Sequence, residues 1–276
     1  MTVGSQSFEL FLYEFPLWGF FLITLVIIFA AFEFGFILGR HRQKQSSKTK
    51  KSPVSAMVAA TLGLLAFMLT FTFGVAAAHF NTRRYLVLDE ANAIRSTYAM
   101  SDMLANAPGA KSKKLLYEYV NLRLIDIRNF KELKKVISQS NAIQDKLWAI
   151  ARSGEVKGTG TSSSWLYIQS LSDMISMQAK RISYGSQGRI PLSIWGGLYW
   201  LAALGMAAMG YHCGLIGIRG FFAYFVLIFT FSLVIVLIYD LDRPKQQLFK
   251  VSQQAMINLQ QKMQKSNHTH FKISKP

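Results

Sequence analysis

The chain of 276 residues has one cysteine, six prolines and only 16% charged residues. Cys213 alone excludes an intrachain disulfide, a Cys-x-x-Cys redox pair and the cysteine spacing of a zinc finger. The shortage of charge is the more telling deficit, because an ordinary soluble domain carries about 25%. Acidic residues are the scarcest of all: 14 Asp and Glu face 31 Lys and Arg, a formal net charge of +17. In a soluble chain that balance would suggest nucleic acid. Here the apolar residues are gathered into long runs, so nucleic acid is not expected as a partner. Attraction to anionic lipid headgroups or a charge bias in loops explains the excess instead.

What is present in abundance is apolar: 51% hydrophobic residues, with 21 Phe among them. Four apolar blocks stand out, from about Phe15 to Gly39, Val54 to Ala78, Pro191 to Leu215 and Gly220 to Tyr239. Each is close to the roughly 20 residues that a helix needs to cross a bilayer. Backbone polar groups inside hydrocarbon must bond to one another, so helices are expected. The first block is not expected to be a cleaved signal peptide. No Lys or Arg precedes it, its apolar run is too long and no small-residue cleavage site follows. Trp18, Trp195, Tyr199, Trp200 and Tyr239 suit the interfacial aromatic belts.

The blocks pair along the sequence, and each pair is expected to form a tight antiparallel hairpin. The predicted fold class is an all-α integral membrane protein. It has two transmembrane helical hairpins (four spans), a helical extramembrane domain between them and a C-terminal amphipathic helix. The expected divisions are an N-terminal segment 1–14, hairpin one at 15–80, the helical domain at 81–190, hairpin two at 191–240 and a polar tail at 241–276. Within the domain, helices are expected over Arg84–Ala105, ending before Pro108-Gly109, then over Lys111–Ser153 and Trp165–Tyr184. Leu115, Leu116, Tyr119 and Leu122 lie at helical spacing. A loop is expected at Gly158–Ser164. The tail reads as a helix over Gln246–Lys265, with Leu248, Val251, Ala255, Leu259 and Lys262 on one face.

The side of the membrane that holds the domain is left open. The first linker carries Arg40, Arg42, Lys44, Lys48, Lys50 and Lys51, which favours a cytoplasmic linker. Arg83, Arg84, Arg95, Lys180, Arg181, Arg189, Arg243, Lys245 and Lys250 lie near the other span ends and favour the opposite assignment.

Few residues can carry function. Glu33 interrupts the first apolar run. An ionisable group there must face protein or water, as a pore-lining carboxylate or as a hydrogen-bonded group between helices. On the second span Ala60, Gly63, Phe67, Phe71, Gly74 and Ala78 share one face. Small residues allow close helix approach, and Phe rings at one level of a symmetric ring would form an apolar constriction that gates by dewetting. Ordinary helix packing is the other reading. Past the span, Arg83, Arg84, Asp89, Glu90 and Asn92 are dense enough for a polar network, and Asp240, Asp242 and Arg243 close the fourth span. These groups would form either an Arg–Asp network or an ion vestibule, and Asp89, Glu90 and Asn92 are expected to pair with Arg83, Arg84 or Arg243. The five His are scattered, and no phosphate loop, nucleophile motif or catalytic carboxylate pair is found. No enzyme activity, cofactor or metal is expected.

The stretch Phe80-Asn81-Thr82-Arg83-Arg84-Tyr85-Leu86-Val87-Leu88-Asp89-Glu90-Ala91-Asn92-Ala93-Ile94 resembles the bacterial bestrophin-like domain family, as does Leu241-Asp242-Arg243-Pro244 with Val251-Ser252 beyond it. The family usually has Gly after Ile94, where this chain has Arg95. Members are multi-pass membrane proteins, distantly similar to bestrophin anion channels. Phe67-Met68-Leu69-Thr70-Phe71 looks like the apolar pore neck of those channels. The resemblance implies an oligomeric channel for small inorganic anions such as chloride, with the second transmembrane helix lining the pore. It also implies a homo-oligomer, with a pentamer favoured, in the bilayer of a bacterial inner membrane. Two Asp after the fourth span are too few for a calcium site, which needs 6–8 oxygens. The alternative function is a non-conducting membrane sensor or scaffold whose helical domain docks a partner.

Overall fold

The computed structural model describes residues 16–45, 54–104, 106–125, 130–153, 161–187, 189–217, 221–243 and 251–273. The described residues are helical apart from short turns. The helices are α1 (Leu17–Gln45), α2 (Val54–Met100), α3 (Asn106–Arg123), α4 (Phe130–Arg152), α5 (Thr161–Gln187), α6 (Leu192–Ile216), α7 (Phe221–Asp242) and α8 (Gln254–Ile273). A single turn of 3-10 helix, Ser101–Met103, follows α2. Four helices are long and apolar enough to cross a bilayer: Leu17–Lys44, Val54–Met103, Leu192–Ile216 and Tyr224–Asp242. The chain is a membrane protein. Segment 1–14, much of the first linker, residues 158–160 and Pro244 lie outside the described residues.

Two compact units make up the chain, one of residues 1–80 and 188–250, the other of 81–187 and 251–276. In the first unit α1 packs chiefly on α6 and next on α7. Glycine explains the choice. A Cβ at Gly35 or Gly39 would run into the backbone carbonyl of Ala207 or Tyr211, and one at Gly210 or Gly214 into that of Phe32 or Phe36. Both helices therefore present a Gly-x-x-x-Gly face, and the backbones meet where side chains would otherwise hold them apart. The pairs advance together along both helices, so α1 and α6 run parallel. The expected tight hairpins are thus not the dominant contact, because the interlocking glycines lie on the first and third spans. The fully buried Thr24 adds a hydrogen bond, its Oγ1 2.7 Å from the Tyr199 hydroxyl. Against α7, Phe20 stacks on Tyr239 at 3.8 Å between ring centroids, and Trp195 meets Tyr239 edge-on at 6.1 Å. Edge and offset contacts of this kind suit the ring quadrupoles.

The second unit is a helical bundle. Val87, Ala91 and Ile94 of α2 meet Leu116, Tyr119 and Val120 of α3, Ile143 and Leu147 of α4 and Leu171 and Met174 of α5. The expected long helix over Lys111–Ser153 is two helices, α3 and α4. Pro108-Gly109 does not stop a helix but lies in the first turn of α3, where proline's missing N–H costs nothing. Gly109 also fits closely there, since a Cβ would meet the Ser101 carbonyl at 2.6 Å. The described part of the tail is helical from Gln254, residues 246–250 of the expected helix lying outside the described residues; its buried face is Met256, Leu259 and Met263, with Lys262 exposed.

Replacing Gly210 by Leu should lower the thermal stability of the detergent-solubilised protein by about 1–3 kcal/mol or more. Gly196→Leu, at an exposed position of α6 where a Cβ meets nothing within 4 Å, should leave the melting curve close to that of the native chain.

Candidate functional site: an exposed apolar helix face and a buried carboxylate

In the first unit α2 has two faces. Val58, Leu65, Leu69, Thr72 and Ala76 are buried. Ala60, Gly63, Phe67, Phe71, Gly74 and Ala78 are all exposed in the single chain. Phe67 is 66% exposed and Phe71 57%. A Cβ added at Gly63 or Gly74 would meet nothing within 4 Å. The two glycines thus face open space, and both phenyl rings are more than half exposed. Nearby hydroxyls are turned inward to the helix backbone: Thr70 Oγ1 donates to the Ala66 carbonyl at 2.9 Å, and Thr61 Oγ1 to that of Met57 at 2.8 Å. Such i−4 bonds spend the donor locally, so this face offers an ion no free hydroxyl proton.

A polar cluster adjoins the Ala78 end of this face in the same unit. Asp242 Oδ1 accepts the Ile190 backbone N–H at 3.0 Å and lies 3.5 Å from His79 Nδ1. Asp240 is fully buried, and the buried Arg243 guanidinium lies 4.9 Å from the Tyr239 ring centroid. Asp242 thus ties the end of α7 to the start of α6 and to α2. Glu33 is half-buried on α1.

The second unit holds the deepest charge. Glu90 is fully buried and forms ion pairs with Arg123 at 2.8 Å and Arg181 at 2.5 Å. The expected partners were Arg83, Arg84 and Arg243; the actual ones come from α3 and α5. The reason is register. Glu90 shares the buried face of α2 with Val87, Ala91 and Ile94, while Arg84, Asp89 and Asn92 point to the exposed side. Asp89 and Asn92 consequently do not join the Glu90 cluster. Arg83 is buried on α2, outside the ion pairs of Glu90.

Around Glu90 lies a chain of neutral polar groups that sequence reading missed. The Tyr119 hydroxyl lies 2.8 Å from Gln178 Oε1 and 3.3 Å from Glu90 Oε1. Gln144 Nε2 also donates to Gln178 Oε1, and Gln178 Nε2 to Asn141 Oδ1 at 3.3 Å. Burial pushes the Tyr119 phenol well above its usual range; the Glu90 charge adds to this, and Arg123 opposes it. Tyr167 is also raised, again mainly by burial, with its hydroxyl 2.8 Å from Ser112 Oγ. The period of α2 could have revealed part of this: a carboxylate between Val87 and Ile94 on an apolar face needs a buried cation. Which cation answers it depends on how α3 and α5 pack.

The bestrophin-like domain description matches residues 25–256. The chain belongs to the bestrophin-like domain family. Its fold is similar to the crystal structure of a bacterial bestrophin homologue from Klebsiella pneumoniae carrying one substitution. That likeness has a TM-score of 0.61 at 14% identity and covers 90% of this chain and 98% of the other. No curated protein gives a significant match. Within this bestrophin-like chain the matched span takes in α2, with both its exposed apolar face and Glu90.

Glu90→Ala should destabilise the protein by about 3 kcal/mol, because the buried Arg123 guanidinium and the half-buried Arg181 lose their carboxylate; thermal unfolding in detergent measures it. Stability should also fall as pH rises above about 10. There the unfolded tyrosines release protons that folded Tyr119 and Tyr167 retain, so the contribution is complete below that pH and is lost above it. Tyr119→Phe should make the alkaline limb of the stability profile shallower.

Proposed function

We propose that the chain is one subunit of an oligomeric membrane ion channel that passes small anions, with the exposed face of α2 lining the pore. The observation that carries this reading is the exposure of that face. Ala60, Gly63, Phe67, Phe71, Gly74 and Ala78 are apolar and exposed, while Val58, Leu65, Leu69, Thr72 and Ala76 of the same helix are buried. Four spans leave no polar path through one subunit, so conduction needs an axis between copies. Small residues let neighbouring copies come close. Phe67 and Phe71, one turn apart, then narrow the axis without offering groups that replace an ion's hydration shell. The rings act as a gate by excluding water. Anions are favoured because a net charge of +17 enriches them at the mouths. Family membership and the neck-like Phe67–Phe71 segment support the same assignment.

The test is anion flux from liposomes holding the Phe67→Ala/Phe71→Ala variant. Both rings are exposed in the subunit, so removing them should leave it folded. Flux should rise several-fold as the constriction wets, with the oligomer intact by light scattering. Unchanged flux with intact assembly would place this face against lipid. Dissociation of the oligomer without any gain in flux would make it a packing surface between copies.

A further inference from the structure

The apolar run of α1 ends at Gly39, yet the helix continues to Gln45. The added turns carry Arg40, Arg42 and Lys44, all exposed. They form no ion pair among the described residues. The sequence supplies little to neutralise them, since no Asp or Glu occurs between Glu33 and Asp89. Glu33 itself lies seven residues before Arg40, about 10 Å deeper along the helix. The neighbouring element does not help either. α6 runs parallel to α1 and contains no Asp, Glu, Lys or Arg. It ends beside this segment: a Cβ at Gly214 would lie 2.8 Å from the Arg40 backbone nitrogen, and one at Gly217 would lie 3.0 Å from Gln43 Nε2. Gly217 caps α6 in the left-handed conformation at φ 76°. The end of α1 is thus held against the end of α6.

We infer that Arg40, Arg42 and Lys44 form a binding surface for the phosphate groups of anionic phospholipids. Position and chemistry both select this partner. The cations begin one residue after the last apolar turn of a spanning helix, at the level of the headgroups. Guanidinium groups match phosphate oxygens with paired N–H donors. Arg and Lys stems can follow the apolar surface while their heads stay with the phosphates. The Gly39–Gly214 contact fixes the surface to the α1–α6 pair, so lipid bound there bears on the packing of the first unit. Arg40 and Lys44 share one side of the helix and Arg42 faces another, so the surface is a collar fit for several headgroups and not a pocket for one.

The experiment compares full-length protein in nanodiscs of phosphatidylcholine with nanodiscs containing one quarter phosphatidylglycerol. It reads bound lipid by native mass spectrometry and the thermal unfolding midpoint. The anionic lipid should be retained and should raise the midpoint, and about 1 M salt should abolish the rise by screening. Arg40→Gln/Arg42→Gln/Lys44→Gln should weaken phosphatidylglycerol retention about fivefold per cation removed, or about a hundredfold in all. The control Lys111→Gln/Lys135→Gln/Lys146→Gln removes the same charge from exposed positions of the helical unit and should retain the lipid. Equal loss in both variants would assign the effect to net charge and overturn the site. So would equal retention of the neutral lipid, or a matching stabilisation by inorganic phosphate alone. If the triple variant does not fold, the salt dependence of the native chain and the Lys44→Gln variant decide: no change in either refutes the surface.

Discussion

The first unit rests on the backbone-to-backbone contact between α1 and α6. Gly35, Gly39, Gly210 and Gly214 remove the side chains that would hold the helices apart. In hydrocarbon no hydrophobic force draws helices together, because lipid tails are as apolar as leucine; close packing must supply the attraction. The Thr24–Tyr199 hydrogen bond and the Phe20–Tyr239 stack then fit onto a geometry already set by glycine. This pairing joins spans that are distant in the sequence. It leaves α2 attached to the unit by one face, through Leu65, Leu69 and Ala76.

That freedom of α2 makes the proposed pore possible. A helix locked on all sides could not offer a face to other copies. Here a Cβ at Gly63 or Gly74 of α2 would meet nothing within 4 Å, in contrast with Gly35 and Gly39 of α1 and Gly210 and Gly214 of α6. The same residue type therefore serves two purposes in one unit, closing an internal interface and leaving an external one open.

The second unit depends on a different force. Glu90 is surrounded by Arg123, Arg181 and Tyr119, and the cost of burying its charge is offset only while both guanidiniums stay in place. Three helices must be in register to assemble that cluster, so it specifies their mutual arrangement. The serine and tyrosine chain of Thr97, Ser101, Ser112 and Tyr167 has the same effect at the turn after α2, each hydroxyl finding a neighbour at 2.8–3.0 Å.

The membrane character, the four spans and the helical nature of the described residues were legible in the sequence, because long apolar runs admit only helices in lipid. So was the common face of Phe67 and Phe71, which needs only the helical period. The period also put Glu90 among apolar residues, but it could not name Arg123 and Arg181. Those partners lie on other helices, and only their packing brings the charges together. The break between α3 and α4 was hidden as well, since residues 111–153 hold no glycine or proline to mark it. Local sequence encodes the helices and their faces; the choice of which faces meet was decided by shape, where glycine on α1 met glycine on α6 and left the glycines of α2 bare.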